Sequence, residues 1–360
     1  MHNIGFRQFI QALVMFLVHA GFALGVLLSS IWLCLALWIQ LPGGKWTSII
    51  LISLWALFAL SILGIYVSQH VFSRQKDRVI YLLVFALSLL WYFNIPAKQD
   101  RDWDPEVSRI FNYQKQGSLV TINNVRNFAW KSDGRYDERW ESRKYDLDQL
   151  TGVNVITSYW MGPQIAHTLV SFDFANQRPL VFSIEIRKER QESFSAIGGF
   201  FRQFELSLIA ADEEDIVYTR SNIRHEQVYF FPVKMPKAAM QALFIEYLKK
   251  SDELAATPKW YNTVTSNCTT IIFDMAQAIE ESLLPKDYRL LVSGYLPNYL
   301  YDIGVLDQRW DMAQWYQHAH INPRTADLNL QQDQTGLQYS KRIRQGLLQP
   351  QALENSAIKP

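Results

Sequence analysis

The first 97 residues hold three long apolar runs, and beyond them the pattern changes to short alternating segments. The runs extend from about Phe9 to Ile39, from about Trp46 to Val71 and from about Val79 to Ile95. A helix crosses the hydrocarbon core with about 20 mostly apolar residues and a lower limit near 17, so three N-terminal transmembrane helices are predicted, the third short. The first run exceeds one span, and its early part, with Gln11 and His19, reads as an interfacial lead-in. Its length and the two runs that follow it argue against a cleaved signal peptide.

Beyond Ile95, Pro96–Glu106 is a polar linker carrying Asp100, Arg101, Asp102, Asp104 and Pro105. Ser118–Asn123, Arg139–Leu147, Val153–Met161 and Gln227–Val233 are rich in β-branched and aromatic residues between turn formers and are predicted strands. Ile165–Phe174 and Leu180–Arg187 flank Ala175-Asn176-Gln177-Arg178-Pro179 and predict a hairpin. Helical spacing then appears in Pro236–Leu254, through Met240, Leu243, Phe244 and Leu248, and again from Ser266 to about Glu281. Strands first and helices after them predict an α+β arrangement rather than alternating βαβ units. The expected organisation is an anchor over 1–97, a folded domain over 98–322 and a polar, partly disordered tail over 323–360.

The 360 residues carry 35 basic and 34 acidic side chains, a formal net charge of +1. Arg7, Lys45, Arg74, Lys76, Arg78 and Asp77 are the charged residues of the first 97, which leaves 30 basic and 33 acidic in the remainder. So balanced a region lacks the basic stripe that nucleic-acid binding requires. Arg7 precedes the first run and Arg74, Lys76 and Arg78 follow the second, whereas only Lys45 accompanies the turn at Leu41-Pro42-Gly43-Gly44. Lys and Arg mark the cytoplasmic side. The N-terminus and second loop are therefore expected inside, and everything after Ile95 outside, in the periplasm of a Gram-negative cell. The expectation is a multi-pass inner-membrane protein.

That placement gives weight to the cysteines. Cys34 lies inside the first apolar run, so Cys268 has no disulfide partner within the exported part. A free thiol in an oxidising compartment is open to mispairing and oxidation, and its presence points to a chemical role. Ser266, or Thr265, is a suitable N-cap, which puts Cys268 in the first turn of a helix. There the helix dipole and free N–H groups favour thiolate over thiol. The amides of Cys268 and Thr269 are candidates to hold the oxyanion formed when a thiolate attacks a carbonyl. Cys268 shares a helix face with Ile272, Met275 and Ile279, which aims it at a sheet. A small buried hydrophobe would show the same spacing, and that plainer reading stays open.

His167, mid-strand beside Thr168-Leu169-Val170, is the expected partner of the thiol. On a register with Phe174 opposite Leu180, His167 faces Arg187, and Glu185 is its diagonal neighbour. Glu185 is then a candidate to orient the imidazole and Arg187 a candidate substrate contact, unless the two form an ordinary cross-strand ion pair. Tyr159, Trp160, Trp260 and Tyr261 lie near His167 and Cys268 in sequence and are candidates for an apolar substrate cleft, or for plain core. His318 and His320 form an H-x-H pair with no further ligands of suitable spacing nearby, so a helix end at the surface is expected, with no metal and no cofactor.

Asn267-Cys268 at a helix start, with the histidine on an earlier strand, resembles the circularly permuted papain-like thiol enzymes, among them the NlpC-type peptidases and the lecithin:retinol acyltransferase-like proteins. More closely, Tyr159-Trp160-Met161-Gly162, Ile165-Ala166-His167-Thr168, Ser183-Ile184-Glu185-Ile186-Arg187-Lys188-Glu189 and Pro258-Lys259-Trp260-Tyr261-Asn262-Thr263 with Asn267-Cys268-Thr269-Thr270 are similar to the Lnb N-terminal periplasmic domain family. The likeness spans about residues 118–285. It implies a permuted papain-like domain with an antiparallel sheet and a helix that begins with the catalytic cysteine. It also implies the family's founding activity, lipoprotein N-acylation, in which a Cys and a His move an acyl chain from lipid to a lipoprotein's terminal amino group. Cys268 and His167 map onto that pair. The founding proteins carry membrane spans after the catalytic domain, whereas here they precede it, so donor and acceptor do not carry over. The functional expectation is a membrane-anchored thiol acyltransferase or hydrolase acting on a membrane lipid or lipoprotein. A cell-wall amidase or endopeptidase is one alternative, and an anchored binding module without catalysis is another.

Overall fold

The computed structural model describes residues 2–69, 71–279, 284–328, 330 and 336–349. They fall into two compact units, one of residues 1–97 with 196–203 and one of 98–195 with 204–360.

The first unit contains α1 (His2–Gln40), α2 (Lys45–Ser68), α3 (Arg74–Phe93) and the short α4 (Ala196–Phe200). Gly43 and Gly44 make the turn into α2 with φ of 71° and 94°, a region that side chains with a Cβ avoid. Residues Gln8–Gln40 and Lys45–Ser68 are long and apolar enough to cross a membrane. The expected third segment does form a helix. Arg74, Lys76, Asp77 and Arg78 occupy its first turns, however, and the apolar part that follows within α3 is shorter than the ~17 residues a span requires. Residues 196–203 join this unit through Phe201, buried with Ala36 and Tyr92, and through Gln40, whose amide donates to the Phe201 and Arg202 carbonyls at 2.6 and 2.7 Å.

The second unit is built on one eight-stranded sheet. Its chain contributes β1 (Asn112–Gln116), β2 (Leu119–Arg126), β3 (Ala129–Trp130), β4 (Tyr136–Asp137), β5 (Trp140–Asp146), β6 (Leu150–Tyr159), β7 (Ala166–Phe174), β8 (Gln177–Arg187), β9 (Glu205–Ala211) and β10 (Gln227–Val233). The order across the sheet is β1-β2-β9-β8-β7-β6-β10, with β5 also on β2, while β3 and β4 pair by themselves. The ladders are antiparallel apart from β2 with β9, which meet in parallel at Arg126 and Ala211, so the sheet of this α+β unit is mixed. The helices are α5 (Glu213–Tyr218), α6 (Lys237–Ala256), α7 (Cys268–Gln277), α8 (Leu296–Asp302), α9 (Met312–Ala319), α10 (Asn322–Thr325) and α11 (Gln338–Arg344).

Period-two alternation divides the core between the two faces of the sheet. Val153, Val170, Phe172, Phe182, Ile184 and Leu208 meet Met240, Leu243, Phe244, Tyr247 and Leu248 of α6, and Cys268 and Met275 of α7 join the same cluster. Ile156, Leu169, Val181, Ile209, Val228 and Phe230 meet Ile216 and Val217 of α5 on the opposite face. Tyr339 and Ile343 belong to that second cluster and are fully buried. Part of the stretch expected as a tail is thus folded into the core, because α11 presents two apolar residues at i and i+4 within a polar composition. Arg344 fastens it to Glu213 and Asp173 at 2.6 and 2.5 Å.

The hairpin register differs from the expected one. Phe174 pairs with Gln177 around a two-residue turn, and a bulge then sets Phe172 opposite Leu180 and Leu169 opposite Ser183. The turn is shorter than the five residues expected, and Pro179 lies within β8.

Candidate functional site

Cys268 is the first residue of α7 and is 7% exposed. The cap is Asn267 rather than Ser266 or Thr265. Its Oδ1 accepts from the Thr269 and Thr270 amides, both at 2.9 Å, and Thr270 Oγ1 accepts from the Asn267 amide at 3.0 Å, a reciprocal capping box. Ser266 instead exchanges backbone hydrogen bonds with Asn262. The Thr269 amide, expected to face an oxyanion, is therefore taken up by the cap, while the Cys268 amide is not part of it.

The sheet opens where α7 begins. β6 stays paired with β7 out to Tyr159 opposite Ala166, and β9 stays paired with β8 out to Arg187 opposite Glu205. The ladder between β7 and β8 ends earlier, at Leu169 opposite Ser183. The two central strands thus part beside His167 and Glu185, and the start of α7 sits against the parted end. Thr269 Oγ1 lies 3.0 Å from Thr168 Oγ1. The thiol has Thr269 Oγ1 at 3.9 Å, and His167 and the Thr168 backbone are near enough to act on it electrostatically.

On its other side the His167 ring is tied down by two groups. Nε2 lies 2.8 Å from Ser183 Oγ and 3.2 Å from Glu185 Oε1. Ser183 donates to Glu185 Oε1 at 2.7 Å, so its oxygen is left to accept from Nε2–H. That fixes the tautomer and leaves Nδ1 for the thiol. Glu185 Oε1 also accepts from Arg220 Nη2 at 2.6 Å.

The electrostatics follow from this packing. Burial pushes the imidazolium of His167 down, but the Glu185 charge and the nearby thiolate outweigh burial and the Arg220 charge, and its pKa rises to about 9. Burial pushes the Cys268 thiol up, yet the His167 charge, with the Thr168 backbone and the Thr269 hydroxyl, brings it below the ordinary thiol value. Burial would raise the Glu185 carboxyl, and His167 and Arg220 hold it well below the usual carboxylate range. All three shifts favour a thiolate beside an imidazolium.

The other candidates are dispersed. Arg187 does not face His167 and makes no pair with Glu185. Its guanidinium lies over Trp103 at 4.5 Å and donates to Gln99 Oε1 at 2.5 Å and Ser108 O at 2.8 Å, pinning the segment before β1. Tyr261 is close enough to the thiolate and Glu185 for their charges, after burial, to push its phenol up. Trp260 bridges Glu205 at the start of β9. Tyr159 and Trp160 line a cavity of about 640 Å³ with His225, Tyr229, Tyr295 and Tyr316. Ser293 ties this cavity to the histidine strand, since its Oγ accepts from the Ala166 amide at 3.0 Å and donates to the Ala166 carbonyl at 2.7 Å. His318 stacks on Trp310 at 4.2 Å and His320 on Tyr229 at 4.9 Å. Among the described residues no group of three or more His, Cys, Asp or Glu is placed to hold a metal.

Residues 136–294 match the family model of the Lnb N-terminal periplasmic domain. The segment is an Lnb N-terminal periplasmic domain. It contains Asn267 and Cys268, His167, Ser183, Glu185 and Arg220. No curated protein and no solved structure matches the chain. With two apolar helices near the N-terminus, the Lnb domain makes this a membrane-anchored protein with a periplasmic domain.

Three members of the cluster were not identified from sequence. Ser183 stands two residues before Glu185 on the same strand face, so period-two reasoning applied to β8 would have found it. Asn267 is itself a favoured cap residue and precedes the thiol directly. Arg220 has no local signal, because its approach to Glu185 depends on how α5 returns to the sheet.

Proposed function

We propose that the periplasmic unit is a cysteine-dependent acyltransferase in which Cys268 is the nucleophile and His167 the general base. The single observation that supports it most is that Cys268, at the start of α7, lies within electrostatic reach of a His167 ring held by Ser183 and Glu185 at the parted end of the sheet. Cys268 passes its proton to His167 Nδ1, and the thiolate attacks the carbonyl of an acyl ester. A carbon–sulfur bond forms, and the Cys268 amide at the helix start is placed to receive the oxyanion. Collapse expels the alcohol, which takes the proton from the imidazolium and leaves a thioester. An amine then attacks the thioester while His167 accepts its proton, and the amide product departs as the thiol is restored. Water in place of the amine gives hydrolysis by the same steps. Glu185 and Ser183 keep the ring in the tautomer that both half-reactions need.

The substrate we propose is lipid-linked, a membrane lipid or lipoprotein. A membrane anchor restricts the enzyme to the bilayer surface, where such groups are found. In this reading the apolar part of α3, extended through Asn94 and Ile95 to about 17 residues, completes a third, short crossing, so that a cytoplasmic N-terminus and a periplasmic enzyme unit are both satisfied in the inner membrane.

The test is mass spectrometry of Cys268 in protein purified from membranes. A hydroxylamine-labile acyl adduct, absent from Cys268→Ala and accumulating in the absence of amine acceptor, is the expected result. An unmodified Cys268 together with release of peptide fragments from cell-wall material would replace acyl transfer with amidase chemistry.

A further inference from the structure

We propose that Arg220 is a positioning residue that sets how tightly Glu185 holds His167, and hence how readily the imidazole gives up its proton. This inference rests on the Cys268–His167 reading above. Glu185 Oε1 is approached by three groups at unequal range: Arg220 Nη2 at 2.6 Å, Ser183 Oγ at 2.7 Å and His167 Nε2 at 3.2 Å. The carboxylate leans towards the guanidinium and holds the imidazole at the longest range. Arg220 is 5% exposed and lies in a π-helical turn, Thr219–Ile223, that continues from α5. Such turns are uncommon and recur at functional sites. The turn is fastened from outside, since Ser221 Oγ lies 2.7 Å from Tyr339 Oη and Asn222 Nδ2 donates to Thr325 O at 2.7 Å. Arg220 is therefore aimed at Glu185 by α10 and α11 as well as by its own turn.

The arrangement answers a requirement of the chemistry. A buried carboxylate with no counter-charge would raise the His167 imidazolium further and slow the passage of its proton to a leaving group. An arginine on the same oxygen keeps the carboxylate charged while drawing its charge away from the ring. The other charged and titratable groups that act on Glu185 are Arg126, Arg224 and Tyr261, with Cys268 beyond the ring. Arg126 is engaged by Asp215 and Arg224 by Glu106, so Arg220 is the guanidinium in contact.

The experiment measures the rate of Cys268 alkylation by iodoacetamide against pH, in the full chain in detergent, for wild type, Arg220→Gln and Arg220→Lys. Wild type should show a low inflection for thiolate formation and a high one for loss of the imidazolium proton. Arg220→Gln should move the high inflection up by at least about 0.5 in pH. It should also slow turnover of a preformed Cys268 thioester several-fold near neutrality, with recovery as the pH is raised. Arg220→Lys, which restores the charge, should return the high inflection towards wild type. It also serves as the decisive variant should Arg220→Gln fail to fold, since loss of the planar fork should still move the inflection part of the way. A folded Arg220→Gln with both inflections unmoved would show that Arg220 is only structural, as would an unmoved Arg220→Lys where Arg220→Gln does not fold. A wild-type profile like that of a free thiol would overturn the Cys268–His167 pair itself, a separate and recognisable outcome.

Discussion

Replacing Asn267 tests whether the helix cap holds the thiol in its reactive state. In Asn267→Ala the amides of Thr269 and Thr270 lose their acceptor, and the Thr263 carbonyl loses the Asn267 Nδ2 donor at 3.0 Å. Loss of an N-cap costs about 1 kcal/mol, within a range of about 0.5–2. The Thr263 hydrogen bond adds about 1 kcal/mol, because Asn267 is 6% exposed and water replaces it poorly. The expected total is about 2 kcal/mol, or a melting temperature lower by about 4–8 °C for a unit of this size. Asn267→Asp separates the cap from the charge. Its carboxylate still accepts from both amides and is favoured by the helix dipole, which offsets much of the lost Nδ2 bond. It also places a negative charge beside the thiolate, so the thiol should titrate higher. Circular dichroism melts should therefore show a clear loss for Asn267→Ala and a change within about 1 kcal/mol for Asn267→Asp. Iodoacetamide rates at pH 6 should fall for Asn267→Asp. An Asn267→Ala melt within about 1 °C of wild type, or an unshifted Asn267→Asp profile, would refute the reasoning.

Three further outcomes are expected. In Cys268→Ala, stability should reach a plateau between about pH 4.5 and 6.5. His167, raised from its ordinary 6.5, contributes fully below that value and loses its contribution as pH rises through the folded value, while Glu185, lowered from 4.5, contributes fully above that value and loses it as pH falls. Urea midpoints across pH check this, and adding Glu185→Gln should flatten both edges. Asp215→Asn should cost about 3–5 kcal/mol by urea denaturation, because Asp215 accepts from Arg126, the Phe128 amide and Trp130 Nε1 while fully buried. Ile343→Ala should cost about 2–5 kcal/mol by the same measurement, whereas a truly disordered tail would tolerate it without change.

Much of the frame was legible from pattern. β10 was predicted at its observed bounds, and β6, β7, α6 and the α7 start lie within a few residues of expectation, because alternation and helical spacing report burial directly. β9 was not found: Glu205–Ala211 is buried at every position, the polar Glu205 and Ser207 included, so burial there does not follow the polar and apolar pattern. The site was legible where it is local and hidden where it is not. Cys268 and His167 announce themselves by residue type and element. The register that brings Glu185 to His167 was misjudged because the turn holds two residues rather than five, and a bulge near Asp173 then shifts the strands by one. Arg187 was assigned on that mistaken register and serves instead to hold the entry to β1.

The contact between Thr168 and Thr269 closes a separation of 101 residues, and this long closure has a consequence for the life of the protein before it is folded. Contacts so distant in sequence form late, after the sheet that receives them. Until then Cys268 has neither the imidazolium nor the helix start to lower its pKa, and it behaves as an ordinary, mostly protonated thiol. A newly exported chain is thereby spared much of the mispairing that a permanent thiolate would invite. Nucleophilicity appears together with burial, as the last strands and α7 come together. Alkylation at mildly acidic pH should accordingly count completed molecules, and the time at which that signal appears during refolding would mark the maturation of the periplasmic unit.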